Sequence, residues 1–449
     1  MPATLLRLQE ENDWQGVMAL EGEVGALAAR LDARSVSEGG KIHCILGHAL
    51  FSTGQFERAL EEYKKHFAAE ESEGGIKGVA NACGYIGNCY HILFQYKEAM
   101  QMHERKRDIS EKQGDKVGVA RAYGSMGISL HAMGKYTAAC ALHEKERAIY
   151  EEIGDDEGLA AVSGNLGNCY NSLGENERAI ALHNECKVIC TRRGDRGGLA
   201  KALGNLAVCY DDMGEYERGR EMHKECLLMC RQIGDIFGIA IALGNVGYDE
   251  LKIGDYAAAI RNFTQQYEIG GDLQLEACKE DGAMGAGVAL ALQVRAERGR
   301  ADALASAGVR ETASRGVEWL QTALEYGRRE ALLHLARIAV DVGDDDTAVV
   351  HLQGYLSWRV QQAPTICAGC DQTRGEDAQM LMCGGCRVAR FCSVKHQKMA
   401  SKSAVMGGSF LQARHRDVCA LLGQWRQQVV KGGRSPGVLR ADLLAFLRT

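Results

Sequence analysis

Between Cys367 and Cys419 the chain reads Cys367-x2-Cys370-x12-Cys383-x2-Cys386-x5-Cys392-x3-His396-x18-His415-x3-Cys419. Thiolate sulfur and imidazole nitrogen are the donors that zinc favours, and a CxxC step brings two thiolates to one ion. These eight residues suffice for two tetrahedral sites with no coordination position left for water. A catalytic zinc keeps a position open, so filled sites fold the chain and do not turn over substrate. The expectation is Zn2+, two ions, in a structural role. Spacing alone leaves two pairings open: sequential, four ligands then four, or interleaved.

The phrase Phe391-Cys392-Ser393-Val394-Lys395-His396-Gln397, followed by His415-Arg416-Asp417-Val418-Cys419, resembles the MYND zinc finger over residues 367 to 419. Two features depart from that family: His396 stands where a sixth cysteine is usual, and Ser401 to Arg414 is longer than usual and lacks a Trp. The resemblance implies interleaved pairing, with Cys367, Cys370, Cys392 and His396 on one zinc and Cys383, Cys386, His415 and Cys419 on the other. It also implies a surface for short proline-containing peptides, to which Gln397 would belong. MYND fingers occur inside SET-domain lysine methyltransferases, which makes such an enzyme the alternative reading. That reading needs a β-rich catalytic domain, and no set of strands is legible here.

The elements that carry this finger must come from the preceding 360 or so residues, and their composition is helical. Proline occurs only at positions 2, 364 and 436, so almost nothing interrupts helix between the two ends. A formal net charge of -6 supplies no electrostatic footprint for nucleic acid. No apolar run reaches transmembrane length, and the start of the chain turns acidic before a signal-peptide core forms. Seventeen cysteines in that context read as reduced thiols and metal ligands, so a cytoplasmic setting is expected, with the nucleus as the alternative.

Self-comparison shows a strict period of forty. Gly47, Gly87, Gly127, Gly167, Ala207, Gly247 and Gly287 share one phase, Ala59, Ala99, Ala139, Ala179, Gly219 and Ala259 another, and Gly-Asp pairs begin at Gly114, Gly154, Gly194 and Gly234. A fixed period of this length is the signature of a solenoid whose units bury their apolar faces on one another. Within a unit, Gly164 to Leu173 and Arg178 to Ile189 read as two antiparallel helices joined at Gly174, with small residues where the backbones cross and Leu166 and Tyr170, or Ile86 and Tyr90, as packing knobs.

This pattern resembles the tetratricopeptide repeat over residues 40 to 272, in the long version found in adaptors of the Pins/LGN type. The fold expected is therefore all-α: a right-handed TPR helical solenoid followed by a small MYND-like zinc-binding domain. Residues 1–39 read as a degenerate N-terminal repeat, with Val17 to Leu31 as its second helix. Residues 40–272 are the repeats, 273–360 irregular helical repeats, 361–420 the finger and 421–449 a helical tail. In 273–360, helices are expected at 282–296, 311–326, 330–342 and 345–360, with Asp344, Asp345 and Asp346 as a capped helix start. The tail is read as helical over 420–430 and from Pro436 to Leu447.

In such solenoids the first helices line a concave face that holds extended peptides. The resemblance places Asn88, Arg121, Asn165, Asn168, Asn171, Lys201, Asn205, Asp211 and Asn245 there. An asparagine amide donates and accepts at once, so a ladder of them can pair with peptide backbone. The bland readings are that each Asn caps or bridges helices, that His103, His143, His183 and His223 are buried in the core, and that Cys186 with Cys190 and Cys226 with Cys230 are buried thiols. No GxxxxGK[ST], HExxH or GxSxG motif is present, and the glycines at 282, 285 and 287 have the wrong spacing for a dinucleotide loop. The sequence thus reads as a non-enzymatic scaffold for protein or peptide partners. In a narrower version, the finger only caps the solenoid and the groove alone binds.

Overall fold

The recurring Gly-Asp pair does two jobs at each junction. In the computed structural model, Gly114 takes φ 68°, a left-handed conformation that a Cβ disfavours, and ends one helix. Asp115 starts the next, its carboxylate accepting the Gly118 N–H at 3.0 Å and so satisfying an amide without an intrahelical partner. Asp155, Asp195 and Asp235 repeat this cap.

The structure describes residues 7–8, 13–32, 36–298, 307–342, most of 344–355, and the pairs 381–382 and 390–391. The chain divides into two units. Unit 1 (Met1–Glu215) contains α1 (Trp14–Ala19), α2 (Glu21–Asp32), α3 (Val36–Ser52), α4 (Phe56–Glu73), α5 (Ile76–Ile92), α6 (Tyr96–Gln113), α7 (Lys116–Ala132), α8 (Tyr136–Ile153), α9 (Asp156–Leu173), α10 (Asn176–Arg193) and α11 (Arg196–Asp212). Unit 2 (Tyr216–Thr449) contains α12 (Tyr216–Ile233), α13 (Ile236–Ile253), α14 (Tyr256–Asp272), α15 (Glu276–Arg298), α16 (Ala307–Glu325), α17 (Ala331–Val342), β1 (Leu381–Met382) and β2 (Arg390–Phe391). Within unit 1, α3, α5, α7 and α9 are each the first helix of a repeat and pack on the even-numbered helix that follows. This is the helical-pair array expected from the period.

The glycine row has a specific cause. A Cβ on Gly87 would stand 2.5 Å from the His103 ring, on Gly127 2.6 Å from His143, and on Gly167 2.4 Å from His183. Gly47 meets the Tyr63 ring in the same way, and in unit 2 Gly247 meets Phe263. In these five pairs the second helix lays a ring directly on the backbone of the first, which only glycine permits at that separation. The four histidines are each 1% exposed, as the core reading of that column requires. Burial holds His103 and His183 down at about pKa 4, so both are neutral near pH 7. His143 is hydrogen-bonded to Glu146 at 2.8 Å, and His223 to Asp249 at 2.8 Å.

Around these rings the first helices bury Ile42, Ile45, Leu46 and Leu50 in α3, Ile86 in α5, Met126 in α7, Leu166 in α9 and Leu206 in α11. In unit 2, Phe263, Met284, Leu320, Leu335 and Ile338 form one core across α14 to α17. Helices α15, α16 and α17 match the expected spans to within a turn or less at most ends, and Asp344 does cap, accepting the Thr347 N–H at 3.0 Å. The long helix expected over Val17 to Leu31 is instead two, α1 and α2. The Leu20 N–H reaches back to the Val17 carbonyl at 3.1 Å, tightening the turn and ending α1. Among the described residues no helix is long and apolar enough to cross a membrane.

Candidate peptide-binding face

The first helices of unit 1 present one uncovered side. Lys41, Asn81, Arg121, Ala161 and Lys201 recur at forty-residue intervals on α3, α5, α7, α9 and α11, and all are exposed. About two helical turns on, Asn88, Ile128, Asn168 and Val208 are exposed as well. Between these rows Asn165 and Asn205 are half-buried, with Tyr85 and Ser125 at the same phase in the preceding repeats. Asn245 is half-buried on α13 of unit 2. The structure therefore brings Asn88, Arg121, Asn165, Asn168, Lys201 and Asn205 onto a shared face of unit 1.

Asn171 and Asp211 lie nearer the ends of α9 and α11, where polar side chains tie neighbouring repeats. His91 Nδ1 lies 3.1 Å from Ser129 Oγ, linking α5 to α7, and His131 Nε2 lies 3.0 Å from Ser172 Oγ, linking α7 to α9. Asn171 continues the series with a hydrogen bond to the Asp212 carboxylate, which opposes the rise that burial imposes on that carboxyl. Asp211 is half-buried in the same stretch. This ladder is a set of inter-repeat ties, and its residues are partly committed before any ligand arrives.

A second row was not anticipated from the sequence. Behind the first helices, Gly84, Gly124 and Gly164 leave gaps through which side chains of the second helices pass. A Cβ on Gly84 would stand 3.1 Å from Lys106 Nζ, on Gly124 2.4 Å from Glu146 Oε1, and on Gly164 4.0 Å from Cys186 Sγ. Lys106, Glu146 and Cys186 are forty residues apart, and each follows its glycine by twenty-two. That pairing of columns was visible in the sequence, but their meeting was not. Cys186 and Cys190 are both buried with their sulfurs 4.0 Å apart, and burial pushes the Cys186 thiol up to about 12, as befits apolar packing groups.

Several other cations of the repeats are paired with acids. Arg105 pairs with Glu71 at 2.7 Å, Lys116 with Glu152 at 2.6 Å, Arg147 with Glu185 at 2.9 Å, and Arg192 and Arg193 with Asp156 and Glu157 at 2.7 and 2.6 Å. Lys41, Arg121 and Lys201 make no ion pair among the described residues.

Of the finger, the described part is β1 antiparallel to β2, with Leu381 opposite Phe391 and Met382 opposite Arg390. The expected ligands Cys367, Cys370, Cys383, Cys386, Cys392, His396, His415 and Cys419 lie outside the described residues, as does the helical tail over 421–449.

Comparison with known proteins agrees with this geometry. The tetratricopeptide-repeat family matches residues 118–187 and 198–270, and a further description of the same repeat matches 40–68. The MYND finger family matches residues 367–419. No curated protein matches the chain in sequence. A solved signal-transduction ATPase with a tetratricopeptide-repeat sensor, from Pyrococcus horikoshii, is 16% identical with a TM-score of 0.51, over 70% of this chain and 48% of that one. Aspartyl phosphate phosphatase F of Bacillus subtilis is 14% identical with a TM-score of 0.48, over 66% and 73%. A Rap protein complexed with the competence and sporulation factor is 16% identical with a TM-score of 0.47, over 70% and 80%. At 16% identity the likeness to the repeat-sensor ATPase is one of fold. Repeats and finger together make this chain a tetratricopeptide-repeat protein with a C-terminal MYND finger.

Proposed function

We propose that the protein is a non-enzymatic scaffold that binds an extended partner segment along the first-helix face of unit 1 and presents its finger as a second interaction module. Joining two modules in one chain raises the effective concentration of their partners for each other. The observation that carries this reading is the recurrence of Asn165, Asn168 and Asn205 on one uncovered face, flanked by cations without ion-pair partners. An amide on such a face can donate to a peptide carbonyl and accept from a peptide N–H, which recognises main chain in the repeats that carry it. Arg121 and Lys201 would then select among side chains.

The finger would hold two zinc ions, Cys367, Cys370, Cys392 and His396 on one and Cys383, Cys386, His415 and Cys419 on the other. Zinc here would supply folding energy to a segment too small for a core of its own.

A pull-down with the intact chain beside an Asn165→Ala, Asn168→Ala, Asn205→Ala variant tests the face. With each amide pairing worth about 0.5 to 1.5 kcal/mol, the triple change should weaken a groove partner by about ten- to a thousand-fold. Thermal stability should change far less, since the three side chains lie on the uncovered side. Equal loss of binding and of stability would mark the asparagines as structural and remove the basis for the proposal.

A further inference from the structure

Cys44 and His48 break the columns of their repeat together. In the next five repeats the phase of Cys44 is glycine, from Gly84 to Gly244, and the phase of His48 holds neither cysteine nor histidine, from Asn88 to Tyr248. The first of these repeats therefore sets a thiol and an imidazole four residues apart on α3. Side chains at i and i+4 share one face of a helix, the spacing by which helices chelate zinc. The two donor atoms do meet, with Cys44 Sγ 3.5 Å from His48 Nε2. Both residues are half-buried, which leaves the pair within reach of an ion in solution. Among the other described cysteines only Cys226 is not buried.

The imidazole is also oriented for this task. Tyr63 Oη of α4 lies 2.8 Å from His48 Nδ1, Tyr85 of α5 meets the ring edge-on at 4.7 Å between centroids, and Trp14 of α1 stands at 5.8 Å. With Nδ1–H donating to the Tyr63 oxygen, Nε2 keeps its lone pair and directs it at the sulfur. A metal-bound histidine is held in this way, its second nitrogen fixed by an acceptor on the protein. Bond lengths of ~2.3 Å to sulfur and ~2.0 Å to nitrogen, at a tetrahedral angle, put the two donors of a zinc site about 3.5 Å apart. We propose that Cys44 and His48 hold a zinc ion, separate from those of the finger, with water in the two remaining positions. Loading forms an S–Zn bond as the Cys44 S–H bond breaks, and the proton leaves to solvent. With two protein ligands the ion exchanges as free zinc changes, unlike one closed in by four. The site uses neither the groove asparagines nor the finger, so it stands independently of the scaffold reading.

Cobalt(II) takes the place of zinc and shows a thiolate-to-metal charge-transfer band in the near ultraviolet, so it reads this site in the intact protein. The finger is first filled with zinc and loose metal is removed by gel filtration. Added cobalt should then raise the band to a plateau at one ion per chain, and zinc should displace it. Cys44→Ser should abolish the band, and His48→Gln should weaken cobalt binding by about tenfold or more. Tyr63→Phe keeps the ring that lies on Gly47 but removes the hydrogen bond to His48, and should weaken binding by about tenfold. Cys226→Ser, at the other thiol that is not buried, should change nothing. Circular dichroism of each variant should be that of the parent. Absence of the band in the parent would leave Cys44 and His48 as a hydrogen-bonded pair only, and a band that survives Cys44→Ser would come from cobalt entering the finger. Either result overturns the proposal.

Discussion

Phe94 shows how a single residue can depart from the rule that its neighbours obey. The turn between the two helices of a repeat is closed by Gly54, Gly134, Gly174, Gly214 and Gly254, all with positive φ. At the same phase in the second repeat stands Phe94, with φ 60° and 78% of its surface exposed. An L residue held in the left-handed region costs on the order of 1 to 2 kcal/mol, and an exposed ring recovers little of that by burial. Among the described residues its ring neighbour is Tyr96, at 6.3 Å between centroids. Part of the gain from removing the side chain is lost to the greater freedom of glycine in the unfolded chain. Phe94→Gly is therefore expected to stabilise the protein by about 1 kcal/mol, read as a higher urea midpoint at unchanged slope. A lower midpoint would mean that the ring contributes packing not evident from its exposure.

At the scale of the element, a ring laid on a glycine closes five of the helix pairs, and the identity of the ring sets its response to pH. His103 and His183 have folded pKa values of about 4 against 6.5 for the free side chain. Protons are thus bound more readily by the unfolded chain. The contribution of each neutral ring is fully present above pH 6.5 and is lost as pH falls from there towards 4. The shift corresponds to about 3 kcal/mol per histidine as an upper measure. Phe263 fills the same slot over Gly247, so a ring without a titratable nitrogen is accommodated by this geometry. The double variant His103→Phe, His183→Phe should flatten the fall in stability between pH 6.5 and 4, measured by urea denaturation across that range. A slope equal to that of the parent would place the acid sensitivity elsewhere.

For the whole molecule, modularity is the property to measure. Helix pairs bury their apolar faces on adjacent pairs, so their stability is a sum of neighbour terms and does not pass through a distant metal. Freshly purified, reduced protein is expected to carry two zinc ions per chain. Cys383→Ser should lower that content while leaving helical circular dichroism nearly intact, and a chain ending before Gln361 should stay strongly helical. An unfolded truncation product would show that the finger holds the array together, and one zinc or fewer in the parent would refute the paired sites.

The period of forty, the helix pairs and the MYND-like finger were legible in residue types and spacing, because each is a local requirement. A left-handed turn demands glycine, a helix start demands a side-chain acceptor, and a zinc site demands soft donors at fixed separations. Even the small-residue row announced a close crossing. What the sequence left open was which side chain fills the gap that each glycine makes. His103 lies on Gly87 and Lys106 on Gly84, while Asn171 bonds Asp212 from the next repeat's first helix. Those partners are sixteen, twenty-two and forty-one residues apart, and their meeting depends on the angle and offset at which packed helices cross. Such offsets are set by the collective packing of whole faces, so no local pattern encodes them. Tertiary structure alone took Lys106 from one more lysine of a solvated helix to a side chain laid across Gly84 of the preceding helix.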